Sequence, residues 1–141
     1  MNRECGDCAK CCEGWLHGMV LGQPMYRERP CFYLQKTCSI YEHRPEHPCR
    51  SYSCAWLSEN VFPMWMKPNL ANVLITKRSF ENLETKQNED YYEILEAGSI
   101  IEARVLNWLV QWAIHGNKNI YYQVNDVFHR IGSSQFMAAR L

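Results

Sequence analysis

The stretch "YYEILEAGSIIEARVLNWLVQWAIHGNKNIYYQV", Tyr91–Val124, decides the fold class. It opens on "YYEILEA" (Tyr91–Ala97), whose aromatic and β-branched residues favour a pleated strand. Behind Gly98, Ser99 with Glu102 three positions later has the spacing of a capping box, and Gly116 stands where a helix would stop. Between them Arg104, Asn107, Gln111 and His115 fall on one helical face, leaving Ile101, Val105, Trp108, Leu109 and Trp112 on the other. The pattern predicts an amphipathic helix that packs on a sheet. "NIYYQV" (Asn119–Val124) then predicts a further strand.

Working outward, "NVLITKRSF" (Asn72–Phe80) is rich in β-branched residues and predicts another strand, joined to Tyr91–Ala97 by the polar connection "ENLETKQNED". Downstream, "NDVFHRIG" is expected to be a short helix capped by Asn125 and ended by Gly132, and "SSQFMAARL" a tail or docking segment. Upstream, "AWLSENVFPMWMKPN" can start as a helical turn, but Pro63 and Pro68 forbid a long helix. The order strand, strand, helix, strand predicts a small α+β fold. At 141 residues the chain fits one domain, with a cysteine-cluster region over 1–57 and an α+β body over 58–141.

The first region is built differently. All eight cysteines fall in it, at Cys5, Cys8, Cys11, Cys12, Cys31, Cys38, Cys49 and Cys54, among breakers that include Gly14, Gly18, Gly22, Pro24, Pro30, Pro45 and Pro48. Only Trp15–Leu21 and Cys31–Leu34 invite an extended reading there. A segment so poor in periodic structure needs another crosslink, and clustered thiols in a reducing compartment point to metal ligation before disulfides. Cys5, Cys8 and Cys11 give C-x-x-C-x-x-C, a spacing that lets a tight turn aim successive sulfurs at one centre and suits zinc or an iron–sulfur cluster equally. Cys12, adjacent to Cys11, is expected to serve a second centre or to bridge two. Eight thiols divide most simply into two four-cysteine sites. A two-metal cluster with bridging sulfurs, or an iron–sulfur cluster beside a separate zinc, also fits the count. Eight thiolates outweigh two divalent ions by four charges, so Lys10, Arg44 and Arg50, next to the cysteines in sequence, are expected to help hold them ionised.

"CGDCAKCC" (Cys5–Cys12) followed by "CFYLQKTCSIYEHRPEHPCRSYSC" (Cys31–Cys54) resembles the YkgJ-like, CxxCxxCC cysteine-cluster family of zinc- or iron-chelating domains. The likeness runs from about Cys5 to Leu57, with a weaker echo in "KPN" and "NVLI". It departs from the family pattern by one residue, since Glu46, His47 and Pro48 separate "RP" from "CR" where two residues are expected. The resemblance implies a metal site carried by all eight cysteines and supplies no reaction.

Other residues are read more plainly. His43 and His47 are four apart, but Pro45 and Pro48 oppose a helix, so both are expected to be exposed loop histidines. Arg44 and Arg50 are expected to ion-pair with Glu42 or Glu46, and Tyr41 to pack over the site or fill core. Trp108 and Trp112 are expected in the core, whereas Trp65 within "PMWMKP" suggests a partner surface. Lysine plus arginine and aspartate plus glutamate number 15 each, so no positive excess advertises nucleic acid. No Walker loop, G-x-G-x-x-G or Ser–His–Asp constellation is present. No signal peptide or membrane span is read, which gives an expected cytoplasmic location. The leading expectation is a protein that holds zinc through eight cysteines in a structural role. Its rivals are an iron–sulfur protein with electron-transfer or modification activity, and a metal-rigidified interaction subunit of a larger assembly.

Overall fold

In the computed structural model, the structure describes residues 8, 10, 18–26, 30–35, 38–50 and 52–141, without the side chain of Arg50. The fold is α+β. The chain divides into two compact units, Met1–Leu70 and Ala71–Leu141.

In the first unit the regular elements are short. Strands β1 (Gly18–Val20) and β2 (Gln23–Met25) form an antiparallel hairpin, turning at Leu21 and Gly22, both with positive φ. A 3-10 turn spans Tyr41–His43 and a π-type turn Glu46–Arg50. Helix α1 covers Ala55–Ser58, a 3-10 turn Met64–Met66, and α2 (Pro68–Ala71) leads into the second unit. The two prolines thus limit Ala55–Asn69 to single turns, as their missing N–H and fixed φ require. Trp56, Phe62 and Met66 are buried, and Trp56 Nε1 donates to the Pro63 carbonyl at 3.0 Å.

The second unit is a four-stranded sheet in the order β3-β4-β5-β6, formed by β3 (Val73–Asn82), β4 (Gln87–Glu96), β5 (Ile120–Val124) and β6 (Val127–Ile131). Helix α3 (Ala103–Gly116) links β4 to β5, which are parallel; the other pairs are antiparallel. The sequence "ENLETKQNED" is mostly strand: β3 runs to Asn82 and β4 begins at Gln87. The turn between them is closed by the Asn82 side chain, whose Oδ1 accepts from the N–H groups of Glu84 and Thr85.

Val105, Leu109 and Ala113 of α3 are buried, while Arg104, Asn107, Gln111 and His115 are exposed, so the apolar stripe lies where the 3.6-residue period puts it. Trp108 and Trp112 are half-buried rather than core. Their rings stack on each other at 5.6 Å, and Trp112 meets Tyr92 of β4 edge-on at 4.9 Å. The expected capping box does not form. The helix starts after Glu102 with no side-chain cap, and it ends on Asn117 in the left-handed region (φ 52°), whose N–H returns to the Ala113 carbonyl.

The largest departure from the sequence reading lies at 125–132. Asn125 and Asp126 both have positive φ (51° and 65°), the requirement of a two-residue type I′ turn. The segment "VFHRI" is therefore strand β6 and not a helix. Gly132 is needed where the chain leaves β6, because a Cβ there would lie 2.2 Å from Asn119 Oδ1 and 2.8 Å from the Phe136 ring. Asn119 Oδ1 is already occupied as acceptor for the Ser133 N–H, and Ser133 caps α4 (Ser134–Ala138) through its Oγ and the Phe136 N–H. The final segment thus docks. Phe136 is fully buried with Phe80 and Tyr91, at ring distances of 5.4 Å to each.

Burial raises the Tyr91 phenol above its usual 10.0; nearby Arg78 works in the opposite direction and Glu93 in the same. Because the folded pKa exceeds the unfolded one, this contribution to stability is complete below about pH 10 and declines as the pH rises further. Urea unfolding followed from pH 9 to pH 11 is expected to show a steeper alkaline loss for the natural chain than for Tyr91→Phe. Equal slopes would remove Tyr91 as the cause.

Candidate metal centre

Five of the eight cysteines predicted as ligands, Cys8, Cys31, Cys38, Cys49 and Cys54, lie among the described residues; Cys5, Cys11 and Cys12 lie outside them. All eight belong to the first unit by position. No disulfide joins the described cysteines to one another.

Two of these thiols are brought together by the local fold. The inner residues of the β1–β2 hairpin, Val20 and Met25, form a small apolar cluster with Cys31, which is 6% exposed. Cys49, half-buried, packs against the same cluster with Tyr33, Leu34 and Ile40. Cys49 reaches it from the Glu46–Arg50 turn, which lies beside β1. Gly18 makes the approach possible: a Cβ there would stand 2.7 Å from the Pro48 side chain. The three residues Glu46, His47 and Pro48 that lengthen the "RP" to "CR" interval form this turn. Its His47 is extended (φ −115°, ψ 133°) and its His47–Pro48 peptide is cis.

Cys31 begins a chain reversal rather than the extended piece expected at Cys31–Leu34. The Leu34 N–H returns to the Cys31 carbonyl at 3.0 Å, and Leu34 then bridges to Cys38. The Ser39 N–H closes back on the Tyr33 carbonyl at 3.0 Å. Cys38 is left half-buried at the end of this loop. Cys54 is the N-cap of α1, where its carbonyl accepts from the N–H groups of Leu57 and Ser58. Among the described residues no three His, Cys, Asp or Glu side chains are gathered closely enough to hold an ion.

Arg44 behaves differently from expectation, and the side chain of Arg50 lies outside the described residues. Arg44 stacks on Tyr41, its guanidinium 3.8 Å from the ring centre, and its Nε donates to the Tyr41 carbonyl at 3.0 Å. Tyr41 is itself 48% exposed, so it is neither core nor a lid. This cation–π pair takes the place of the expected ion pair with Glu42 or Glu46. His43 and His47 are exposed as expected, and the extended backbone at His47 keeps them off a common helix face. His17 lies outside the described residues.

What this arrangement offers an inorganic cation is sulfur from several turns, with Cys31 and Cys49 drawn into one apolar cluster. All-thiolate donors suit zinc and iron–sulfur centres alike, and Val20, Met25, Tyr33 and Leu34 share the cluster with these two cysteines.

Sequence reasoning missed one polar site. Glu96, only 7% exposed, accepts three backbone N–H groups, from Ile101 and Asn125 on Oε2 and from Asp126 on Oε1, at 2.8–2.9 Å. The side chain of its neighbour in the sheet, Gln123, accepts the Glu96 N–H at 3.0 Å. The only trace of this site in the sequence is a carboxylate within an otherwise apolar strand end, "EILEAG". It is a structural clasp: it locks the start of α3 and the β5–β6 turn to the end of β4. Comparison with protein-family models, curated proteins and solved structures returned no match to this chain.

Proposed function

We propose that the chain is a cytoplasmic metal-binding protein whose eight cysteines, Cys5, Cys8, Cys11, Cys12, Cys31, Cys38, Cys49 and Cys54, hold zinc in a structural role. The observation that carries this reading is segregation. Every cysteine falls in one of the two compact units, and among the described residues that unit has the shorter elements. The convergence of Cys31 and Cys49 on one apolar cluster supports it, as does the C-x-x-C-x-x-C-C motif shared with the YkgJ-like family. When bound, zinc would supply a tetrahedral crosslink between the turns that carry the cysteines. The residues of the chain do the rest: Gly18 admits Pro48, Pro48 positions Cys49, and the β1–β2 hairpin shields Cys31. Among the described residues no helix is long and apolar enough to cross a membrane.

An iron–sulfur centre is the second reading, favoured by the same all-sulfur donor set. Purification without oxygen, followed by elemental and acid-labile sulfide analysis, separates the two. Zinc without sulfide is the expected result. Iron with sulfide selects the second reading, and a metal-free protein with eight titratable thiols would overturn both.

A further inference from the structure

The geometry points to the outer edge of β6 as a self-association surface, on which a second copy of this chain pairs antiparallel to extend the sheet. The two edges of the sheet are β3 and β6. They are defended unequally. β3 exposes Lys77, Arg78 and Glu81, with Lys77 paired to Asp90 and Arg78 to Glu93, a charged edge of the kind that discourages further strand pairing. β6, "VFHRI", carries no lysine and no carboxylate, and it exposes Val127 (57%) and Phe128 (37%).

Its one arginine does not guard it. Arg130 Nη1 is spent on α4, donating to the carbonyls of Phe136, Met137 and Ala139, and the guanidinium lies over the Tyr121 and Phe136 rings. The charge that would repel an incoming strand is therefore turned toward the protein's own last helix.

The main chain is ready for a partner. In the two-residue β5–β6 hairpin, Val124 and Val127 close the turn as a hydrogen-bonded pair, so Tyr122–His129 and Ile120–Ile131 are also bonded pairs. The N–H and C=O groups of Phe128 and Arg130 then point away from β5. Among the described residues no partner for those groups is present.

The second copy is the occupant that this strand fits. Centred on His129, an antiparallel two-fold pairing sets Phe128 of one copy against Arg130 of the other, and both pairs exchange their outward bonds. Val127 then faces Ile131, and His129 faces its own copy. No carboxylate or lysine is opposed to a like charge. The chain's 15 basic and 15 acidic residues leave no net charge to keep copies apart. Met137, whose carbonyl Arg130 also holds, is 51% exposed. A five-residue strand and its flanks fall short of the roughly 800 Å² per partner of a stable dimer, so the association is weak and dependent on concentration.

Sedimentation equilibrium of the full, metal-loaded chain tests this. The expected weight-average mass rises with concentration from one chain toward two. His129→Glu and His129→Lys, each of which opposes two like charges across the two-fold, are expected to weaken association by about tenfold or more, and their equimolar mixture to restore it. Phe128→Pro removes an outward N–H while leaving the bonds to β5 in place, and it should also abolish the dimer; thermal melts confirm that each variant is folded. A chain that stays monomeric throughout, whether the edge is bare or another protein takes it, overturns the proposal. So does a dimer that Phe128→Pro leaves unchanged, or one that the His129 mixture fails to restore.

Discussion

On the proposed zinc reading, chelation of the full chain is expected to unfold the segment 18–54 while leaving the four-stranded sheet folded. The reason is the imbalance between what the segment 18–54 must order and what its described residues bury. Among its described residues the hairpin strands are three residues long, and the cluster at Cys31 has three buried members, Val20, Met25 and Cys31 itself. Fixing each residue's backbone costs about 1–2 kcal/mol, and a fully buried aliphatic side chain returns about 1.5–3 kcal/mol. Three such side chains cannot hold a segment of this length against that cost. A structural zinc contributes about 10–16 kcal/mol of apparent binding free energy, comparable with the whole stability of a domain. Hydrogen exchange read by peptide mass is the direct measurement. After chelation, peptides covering 18–26, 30–35 and 38–54 should lose protection, and those covering β3, β4 and α3 should keep it. Retained protection over 18–54 in a metal-free chain would show that packing suffices there and would remove the structural role from the metal.

How much of this could be read from the sequence depends on whether the deciding interaction is local. β3, β4, α3 and β5 were legible because a run such as "NVLI" or the spacing of Val105, Leu109 and Ala113 carries its own period, and the burial of those residues follows that period. Asn125 was ambiguous because the same residue suits a helix N-cap and a left-handed turn position. What decides between them is Glu96, 29 residues away, whose carboxylate takes the N–H groups of both turn residues. The false capping box has the same cause. Glu96 also takes the Ile101 N–H, and the helix begins only after Glu102. In the candidate centre, the sequence marks which residues are thiols, but the pairing of Cys31 with Cys49 in one cluster follows from Gly18 admitting Pro48, a contact across thirty positions with no local signature.

Glu96→Ala is therefore expected to destabilise the second unit more than any single truncation on the exposed face of α3. Removing the carboxylate strands three backbone donors, at Ile101, Asn125 and Asp126, with Ile101 itself buried. An unsatisfied buried donor costs about 1–3 kcal/mol, and breaking an interaction with a buried charge costs about 3–5 kcal/mol in all. The turn residues Asn125 and Asp126 both hold positive φ, a conformation that the clasp fixes by taking both of their N–H groups. The expected loss is about 3–5 kcal/mol, a large share of a domain's total stability, seen as a lowered urea midpoint with an unchanged slope. Glu96→Gln separates charge from shape. One of its two terminal atoms becomes a donor facing an N–H, so it should recover only part of the loss, whereas Gln111→Ala on the exposed helix face should stay within about 0.5 kcal/mol. If Glu96→Gln matched the natural chain, the clasp would be a matter of packing and the three charge-assisted bonds would contribute nothing measurable. A partial recovery would instead identify a single carboxylate as the tie that makes the chain after β4 enter α3 late and makes "VFHRI" a strand.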